Sequence, residues 1–484
     1  METTQNKMGV MPVGKLLITM SLPMILSMLV QALYNIVDSY FVSMVSIESL
    51  TAVGQAFSAQ NLMIGIATGT AVGVGALFSR ALGSGDTARA ATVAHNGVFL
   101  ALCGFAVIFL FGLFGTKIYY DGILSAAKLD DGLDLALLCT EGERYLRICT
   151  LLSLFVFMQI MFERLMQSTG RTHFTLLTQG IGALCNIVLD PIFILPRVPL
   201  LGLPGLDLGA AGAAYATVIG QAVAAVIAIF CNQKFNPEAR ISFGKIFHPS
   251  AKTVGEIYAI GVPSIIMVSV GSVMYYFVNM ILMRVSAFGA SVYGVYFKLQ
   301  SFVFMPLFGM NNGVIPIVAY NYGAGNRRRM LRTVKLALLF AEGVMLFGMA
   351  VLWLFPAQLL SLFIADAAVI AIGVVAMRII SLSFLFAGVC IALISVFQAL
   401  GYGAYSMLVS IARQLIVLLP VAYLLSLTGN IDNIWWAYPI AEVASLAVTL
   451  LLYLHLHKTV ISKIPLDSTT NDKERLQNET NCSL

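Results

Sequence analysis

Twelve apolar runs fill this chain almost from end to end, and they leave few folds open to it. They lie near 14–44, 50–82, 87–115, 141–168, 171–195, 208–233, 252–285, 290–322, 327–356, 369–399, 403–427 and 432–461. A helix needs about 20 predominantly apolar residues to cross a bilayer, and each run supplies that many or more. The fold class expected is therefore an all-α polytopic membrane protein with about 12 transmembrane helices. Several runs exceed the minimum, so tilt, kinks or extension beyond the lipid are expected. Composition agrees: 59% of the residues are hydrophobic and 11% charged, against about a quarter charged in a soluble domain. The first run is too long for a signal-peptide core, so no cleavable signal is expected.

The charges sort the loops. Arg80 and Arg89, Arg171 and His173, Lys234 through Lys252, Arg327 through Lys335, and His455 through Lys463 all fall on one side, with Lys7 and Lys15. The opposite side holds Glu48, Asp121, Asp130, Asp131, Asp134, Asp207, Asp366 and Asp432, with Lys117, Lys128 and Arg197 as exceptions. Basic loops face the cytoplasm. Both termini are expected there, in a bacterial inner (plasma) membrane. The net charge of +5 is spread over these loops and is no nucleic-acid footprint. The seven cysteines have no metal-ligand spacing. In apolar runs they read as small hydrophobes.

The chain repeats itself. A shift of 240 residues superposes Pro23 on Pro263, Gly54 on Gly294, Gly69 on Gly309, Gly73 on Gly313, Gly83 on Gly323 and Arg89 on Arg329. Six runs per half make the halves parallel repeats about an axis along the membrane normal. The expected division is an N-terminal six-helix bundle over 1–235, a cytoplasmic linker over 236–251, a second, pseudo-symmetric six-helix bundle over 252–463, and a polar, disordered tail over 464–484. Two bundles around a cleft suit alternating access.

Polar residues inside the runs mark the function. An aspartate at a helix centre costs about 2.5–3.5 kcal/mol on insertion scales and usually faces a bundle interior. Asp38 shares a helix face with Tyr34, Gln31 and Ser27, so this stripe should point inward. Asn186 and Asp190 are four apart and share a face of the fifth run. Thr217 sits at similar depth in the sixth. Their counterparts in the second half are apolar: Val278 for Asp38, Val417 for Asn186 and Val421 for Asp190. This asymmetry favours an ion site in one half over a structural polar knot. Two carboxyls with an amide and a hydroxyl can exchange a proton, and their oxygens also suit Na⁺.

Glu163 lies nearer the cytoplasm, beside Arg164. It reads either as an attractor for a cationic substrate or as a carboxylate paired at the membrane edge. Lys298, Arg378, Arg413 and Glu442 in the second half read as internal ion pairs that lock the bundle. The many methionines and phenylalanines suit a cleft that repacks around varied cargo. No nucleophile–base pair or resident-metal set is present in the sequence, so an enzyme is not expected.

With "LPM" at 22–24, "YNIVDSYFV" at 34–42, "QSTG" at 167–170, "NIVLDPIFI" at 186–194 and "GAAYAT" at 212–217, the chain resembles the multidrug and toxic compound extrusion (MATE) family, most closely the bacterial MepA-like branch. The likeness covers about residues 10–460. It implies a secondary active antiporter that exports organic cations and other drugs in exchange for H⁺ or Na⁺. Xenobiotic transport of this kind underlies antibiotic resistance. The family's coupling residues match Asp38, Asn186, Asp190 and Thr217, and its bending first-helix proline matches Pro23. The acids that other branches carry in the seventh and tenth helices are absent from "VPSIIMVSVGSVMYYFV" at 262–278 and "IISLSFLFAGVCIALISVFQALG" at 379–401.

The expected function is thus multidrug efflux by alternating access, with H⁺ or Na⁺ as the coupling ion, no other cofactor, and Gln31, Tyr34 and Glu163 as substrate-cleft candidates. The expected partners are amphipathic or cationic small molecules and membrane lipids. Nucleic acid is not among them, and one chain with two bundles can work as a monomer. The alternative is a lipid-linked oligosaccharide flippase of the same wider superfamily. An anionic lipid pyrophosphate calls for arginines along the cleft, whereas the outer layer of the first bundle is acidic.

Overall fold

The computed structural model describes residues 6–126, 134–198, 202–363 and 366–464. Lys128, Asp130, Asp131 and the expected disordered tail beyond Ile464 lie outside them. The spans follow the apolar runs closely: Val13–Ser43, Ile47–Gly83, Thr87–Ala126, a broken fourth, Thr172–Ile194, Gly209–Phe235, Ala251–Val285, Ala287–Gly323, Arg327–Leu354, a broken tenth, an eleventh over 403–426, and Ala437–Thr459. Among the described residues ten helices are long and apolar enough to cross a membrane, and twelve spans result when each bent pair counts as one. The protein is all-α and multi-pass.

The two bent pairs are repeat-related. Leu135–Leu151 meets Leu154–Ser168 at 47°, and Ala367–Ser381 meets Phe384–Ala399 at 49°. Leu152-Ser153 occupies one corner and Leu382-Ser383 the other. The fourth span starts earlier than the run at 141 suggested, because amphipathic Leu135–Leu151 extends it. In the eleventh span, residues 412–418 widen into a π-helix just before Pro420. Proline lacks the N–H and clashes with the carbonyl four residues back, and a local change of winding relieves both. Pro23 leaves Val13–Ser43 a single helix. The carbonyl it orphans, that of Thr19, accepts instead from the Thr172 hydroxyl at 3.3 Å.

Each half packs mainly on itself, and the first, second, seventh and eighth spans join the halves. The joining helices meet through glycines. A Cβ on Gly69 would lie 2.9 Å from the Ile265 nitrogen, and one on Gly309 would lie 2.7 Å from the Ile25 nitrogen. Ile25 and Ile265 are themselves 240 apart. These contacts run to the end of the molecule that carries the basic loops. At the opposite end a Cβ on Gly54 would meet nothing within 4 Å, and one on Gly294 only the Tyr275 hydroxyl at 3.9 Å, within its own half. The halves are closed at the basic end and separated at the other.

A strap seals the closed end. The short helix Lys7–Val10 lies against both halves, with Met8 fully buried. The Asn6 amide donates to Glu238 Oε1 at 3.2 Å, and Glu238 Oε2 accepts from Arg171 at 2.7 Å. On the other half, Arg329 Nη2 donates to the carbonyls of Met8 (3.1 Å) and Met11 (2.7 Å), and Asn321 also donates to Met8 (3.3 Å).

Candidate functional site

The fifth and sixth spans pack closely, and a polar layer lies where they face the first. In the amide orientation that satisfies both its ends, Asn186 donates to Asp190 Oδ2 at 3.2 Å. Its carbonyl oxygen then accepts from the Thr217 hydroxyl at 3.2 Å and the Thr217 backbone N–H at 3.1 Å. Asp190 is 0% exposed, Asn186 2% and Asp38 8%. Asp38 lies on the facing first span, within electrostatic range of Asp190. Asp38 Oδ1 is buried with no hydrogen-bond partner. The four residues are therefore brought together, but unevenly: three form a bonded chain, and the fourth presents an unsatisfied oxygen. An unpartnered buried acceptor is costly. A proton or a cation would remove that cost.

Next to this layer is a cavity of about 230 Å³, lined by the first half and by Asn312 of the second. Gln31, Tyr34, Glu163, Asn186 and Thr217 all line it. Asp38 and Asp190 do not, so the acids lie behind the cavity wall and the amide and hydroxyl bonded to Asp190 form part of that wall. Met24, Met28, Ile64, Val156 and Ile160 supply the apolar surface. Ser27, on the same stripe as Asp38, bonds locally to the Pro23 carbonyl at 2.8 Å.

Glu163 lines the cavity and departs from the ion-pair reading of the sequence. It is 2% exposed. Among the described residues no basic nitrogen lies within 4.0 Å of it. Three neutral donors hold its carboxylate instead: Thr178 Oγ1 at 2.7 Å, Gln179 Nε2 at 2.9 Å and Gln159 Nε2 at 3.0 Å. Its neighbour Arg164 reaches across to the second half, where Nη2 donates to Asn312 Oδ1 at 3.1 Å.

The second half lacks a counterpart to this layer at the repeat positions. Val278 is buried, and Val417 and Val421 pack against the apolar core. Of the four charged residues expected to form internal pairs, Arg413 and Glu442 do so at 3.4 Å. Arg413 lies in the π-helical turn. Lys298 and Arg378 do not: both are exposed, and Lys298 stands over the Phe363 ring at 6.0 Å. Sequence reasoning passed over Gln159, Gln167, Gln179 and Gln221, which line the cavity. The first two stand four residues either side of Glu163, a stripe that helical spacing would have revealed. Glu342, in the ninth span, was also passed over. Its Oε1 is buried against Gly388.

Comparison with known proteins places the fold. A family model described as MatE matches residues 23–192 and 263–424, so its two matches begin at the repeat-related Pro23 and Pro263. Multidrug export protein MepA of Staphylococcus aureus (strain bovine RF122 / ET3-1) is 25% identical over 446 residues, which is 92% of this chain and 94% of that protein. The protein of the same name from Staphylococcus saprophyticus is 24% identical over 448 residues, covering 92% and 95%. A solved structure of MATE in complex with MaL6 superposes with a TM-score of 0.83 at 24% identity, covering 95% of this chain and all of that one. The outward-facing conformation of a multidrug resistance MATE family transporter of the MOP superfamily gives 0.84 at 23%, covering 95% and 99%. The family model spans more than half of the chain, and the chain belongs to the MatE family of multidrug efflux transporters, whose members are not enzymes.

Proposed function

We propose that the protein exports amphipathic organic cations in exchange for H⁺ or Na⁺, by alternating access. The observation that carries this reading is that Asp38 and Asp190 are both buried, within electrostatic range of each other, behind the wall of a cavity wide enough for part of a small molecule. Cargo enters the cavity while the carboxyls are charged. An ion arriving from outside lowers that charge, the hold on a cation weakens, and the cargo leaves. The Asn186–Thr217 wall relays the change, since both bond in series with Asp190.

Several further assignments belong to this reading. The basic end faces the cytoplasm with both termini, so the closed and open ends make the described state outward-open. The membrane is the bacterial inner membrane, one chain suffices, and H⁺ or Na⁺ is the only cofactor. Pro23 is where the first span bends, its Thr19 carbonyl being free to exchange the Thr172 hydroxyl for other partners. Gln31, Tyr34 and Glu163 contact cargo.

Reconstitution in vesicles with separate pH and Na⁺ gradients tests the proposal, with an organic cation dye as cargo. Dye accumulation that follows one gradient is expected. Accumulation indifferent to both would remove the antiport claim.

A further inference from the structure

The linker between the halves presents two phenylalanines to its surroundings. Phe243 is 79% exposed and Phe247 67%. They stand four residues apart, at the start and just past the end of the short helix Phe243–Ile246, so both point to one side. Ile241 and Ile246 turn the other way and are buried in the core. This is not the exposure of a loose loop. Gln233 Nε2 donates to the Ile241 carbonyl at 2.9 Å, and Gln233 Oε1 accepts from the Ile241 N–H at 3.3 Å. The Ser242 N–H donates to His95 Nε2 at 2.9 Å, and the Ser250 N–H donates to Asn96 Oδ1 at 3.2 Å. Large apolar side chains held outward by a clamped backbone mark a surface that meets something apolar.

The clamps also set the depth. On the third span, residues 97–115 include no charged, amide or hydroxyl side chain, and Lys117 follows shortly. These 19 residues rise ~28 Å, close to the roughly 30 Å of a hydrocarbon core. His95 and Asn96 therefore stand at the edge of that core, and the linker they hold lies in the interfacial layer.

Charge selects the lipid. The acids between residues 232 and 257 are Glu238 and Glu256, and each is already paired, with Arg171 at 2.7 Å and Arg89 at 2.9 Å. Arg240, Lys245 and Lys252 are exposed, and among the described residues none of them has a carboxylate within 4.0 Å. An apolar face flanked by uncompensated cations suits an acidic membrane surface.

We propose that the linker is a binding site for acidic phospholipid in the leaflet at the basic end. Phe243 and Phe247 enter the boundary between headgroups and acyl chains, and Arg240, Lys245 and Lys252 receive the headgroup phosphates. The linker is the chain's passage from one half to the other, so this foot ties the joint between them to the membrane. The proposal goes beyond the export reading and does not depend on it.

Lipid quenching tests it. The purified full chain carrying Phe243→Trp is reconstituted in vesicles of phosphatidylcholine and phosphatidylglycerol, with one lipid or the other brominated on its acyl chains. Subtracting the wild-type signal removes Trp353, Trp435 and Trp436, which lie toward the opposite end of the molecule. Both brominated lipids should quench the added tryptophan. The relative affinity at the site should favour phosphatidylglycerol about tenfold or more, given the attraction of three Lys or Arg side chains to an anionic surface. With Arg240→Gln, Lys245→Gln and Lys252→Gln added, the preference should approach one while quenching persists. A preference near one before those changes, or one that they leave unaltered, overturns the proposal. Absence of quenching by either lipid overturns it as well and leaves the face to a soluble partner or a second copy. Should Phe243→Trp fail to fold, Phe247→Trp makes the same measurement.

Discussion

Gly83 and Gly323, 240 residues apart, take reciprocal places at one helix crossing. Gly83 lies on the Tyr320 carbonyl, and Gly323 lies on the Arg80 carbonyl. Neither position has room for a Cβ, and the atoms in the way are backbone, which cannot swing aside. Arg80 caps the crossing by stacking over the Tyr322 ring at 4.6 Å. The closed end is thus set by the local symmetry of the repeat. Alanine at either glycine should push the second and eighth spans apart, at an overpacking cost of about 1–3 kcal/mol. The buried strap reports this directly. With a cysteine in place of Met8, modification by a water-soluble maleimide should accelerate about tenfold in the G323A background. An unchanged rate would mean that the closure does not depend on this contact.

Asp38 and Asp190 should separate coupling from stability. Asp38 Oδ1 has no partner to lose, so Asp38→Asn should change unfolding by less than about 1 kcal/mol. Asp190→Ala takes away the acceptor of the Asn186 amide and should cost about 1–3 kcal/mol. In vesicles both variants should lose the response of dye transport to the ion gradient. Asp38→Asn with full, gradient-dependent transport would exclude Asp38 from coupling.

Arg413 and Glu442 call for the opposite behaviour. Their side chains are 22% and 8% exposed, and the pair is satisfied within its own half. Removing one partner strands the other, so R413M alone should destabilise by about 3 kcal/mol, while R413M with E442L should recover most of that loss. Thermal unfolding in detergent reads both. If the double variant were no more stable than the single, the pair would not be the source of the loss.

Much of this architecture was legible because the hydrocarbon imposes a length and a composition on every helix. The apolar runs marked the spans, and the 240 shift found Gly83 and Gly323 before their contact was known. Hydropathy could not find the corners at Leu152-Ser153 and Leu382-Ser383, since a run stays apolar through a bend. Nor could it find the π-helical turn at 412–418, which depends on how one proline is accommodated. At the site, helical spacing was enough to bring Asn186 and Asp190 onto one face. It could not tell that Asp38 and Asp190 stand behind the cavity wall, because depth and facing do not fix which side chain reaches the surface. The paired reading of Glu163 failed for a related reason. Adjacency to Arg164 in sequence suggested a pair, but neighbours on a helix point about 100° apart, and of its three hydrogen-bond donors Gln159 lies one turn back while Thr178 and Gln179 come from another span.

The strap supplies a test that depends on pH. Lys7 packs over Gly170, where a Cβ would lie 2.7 Å from Lys7 Cε. Burial, and secondarily the Arg171 charge, pull its pKa below the ordinary 10.5. The docked strap therefore binds fewer protons than the released one between the lowered value and 10.5. Docking should strengthen as pH rises through that window and weaken as pH falls through it. The Met11 amide, which donates to the Lys7 carbonyl at 2.9 Å, reports docking through its hydrogen-exchange protection. Protection corrected for intrinsic exchange should increase from pH 8 toward 10 in the wild type. Lys7→Met carries no charge to desolvate, so it should be better protected at pH 8 and should lose the dependence. Faster exchange in that variant would show that the lysine charge holds the strap in place instead of opposing it.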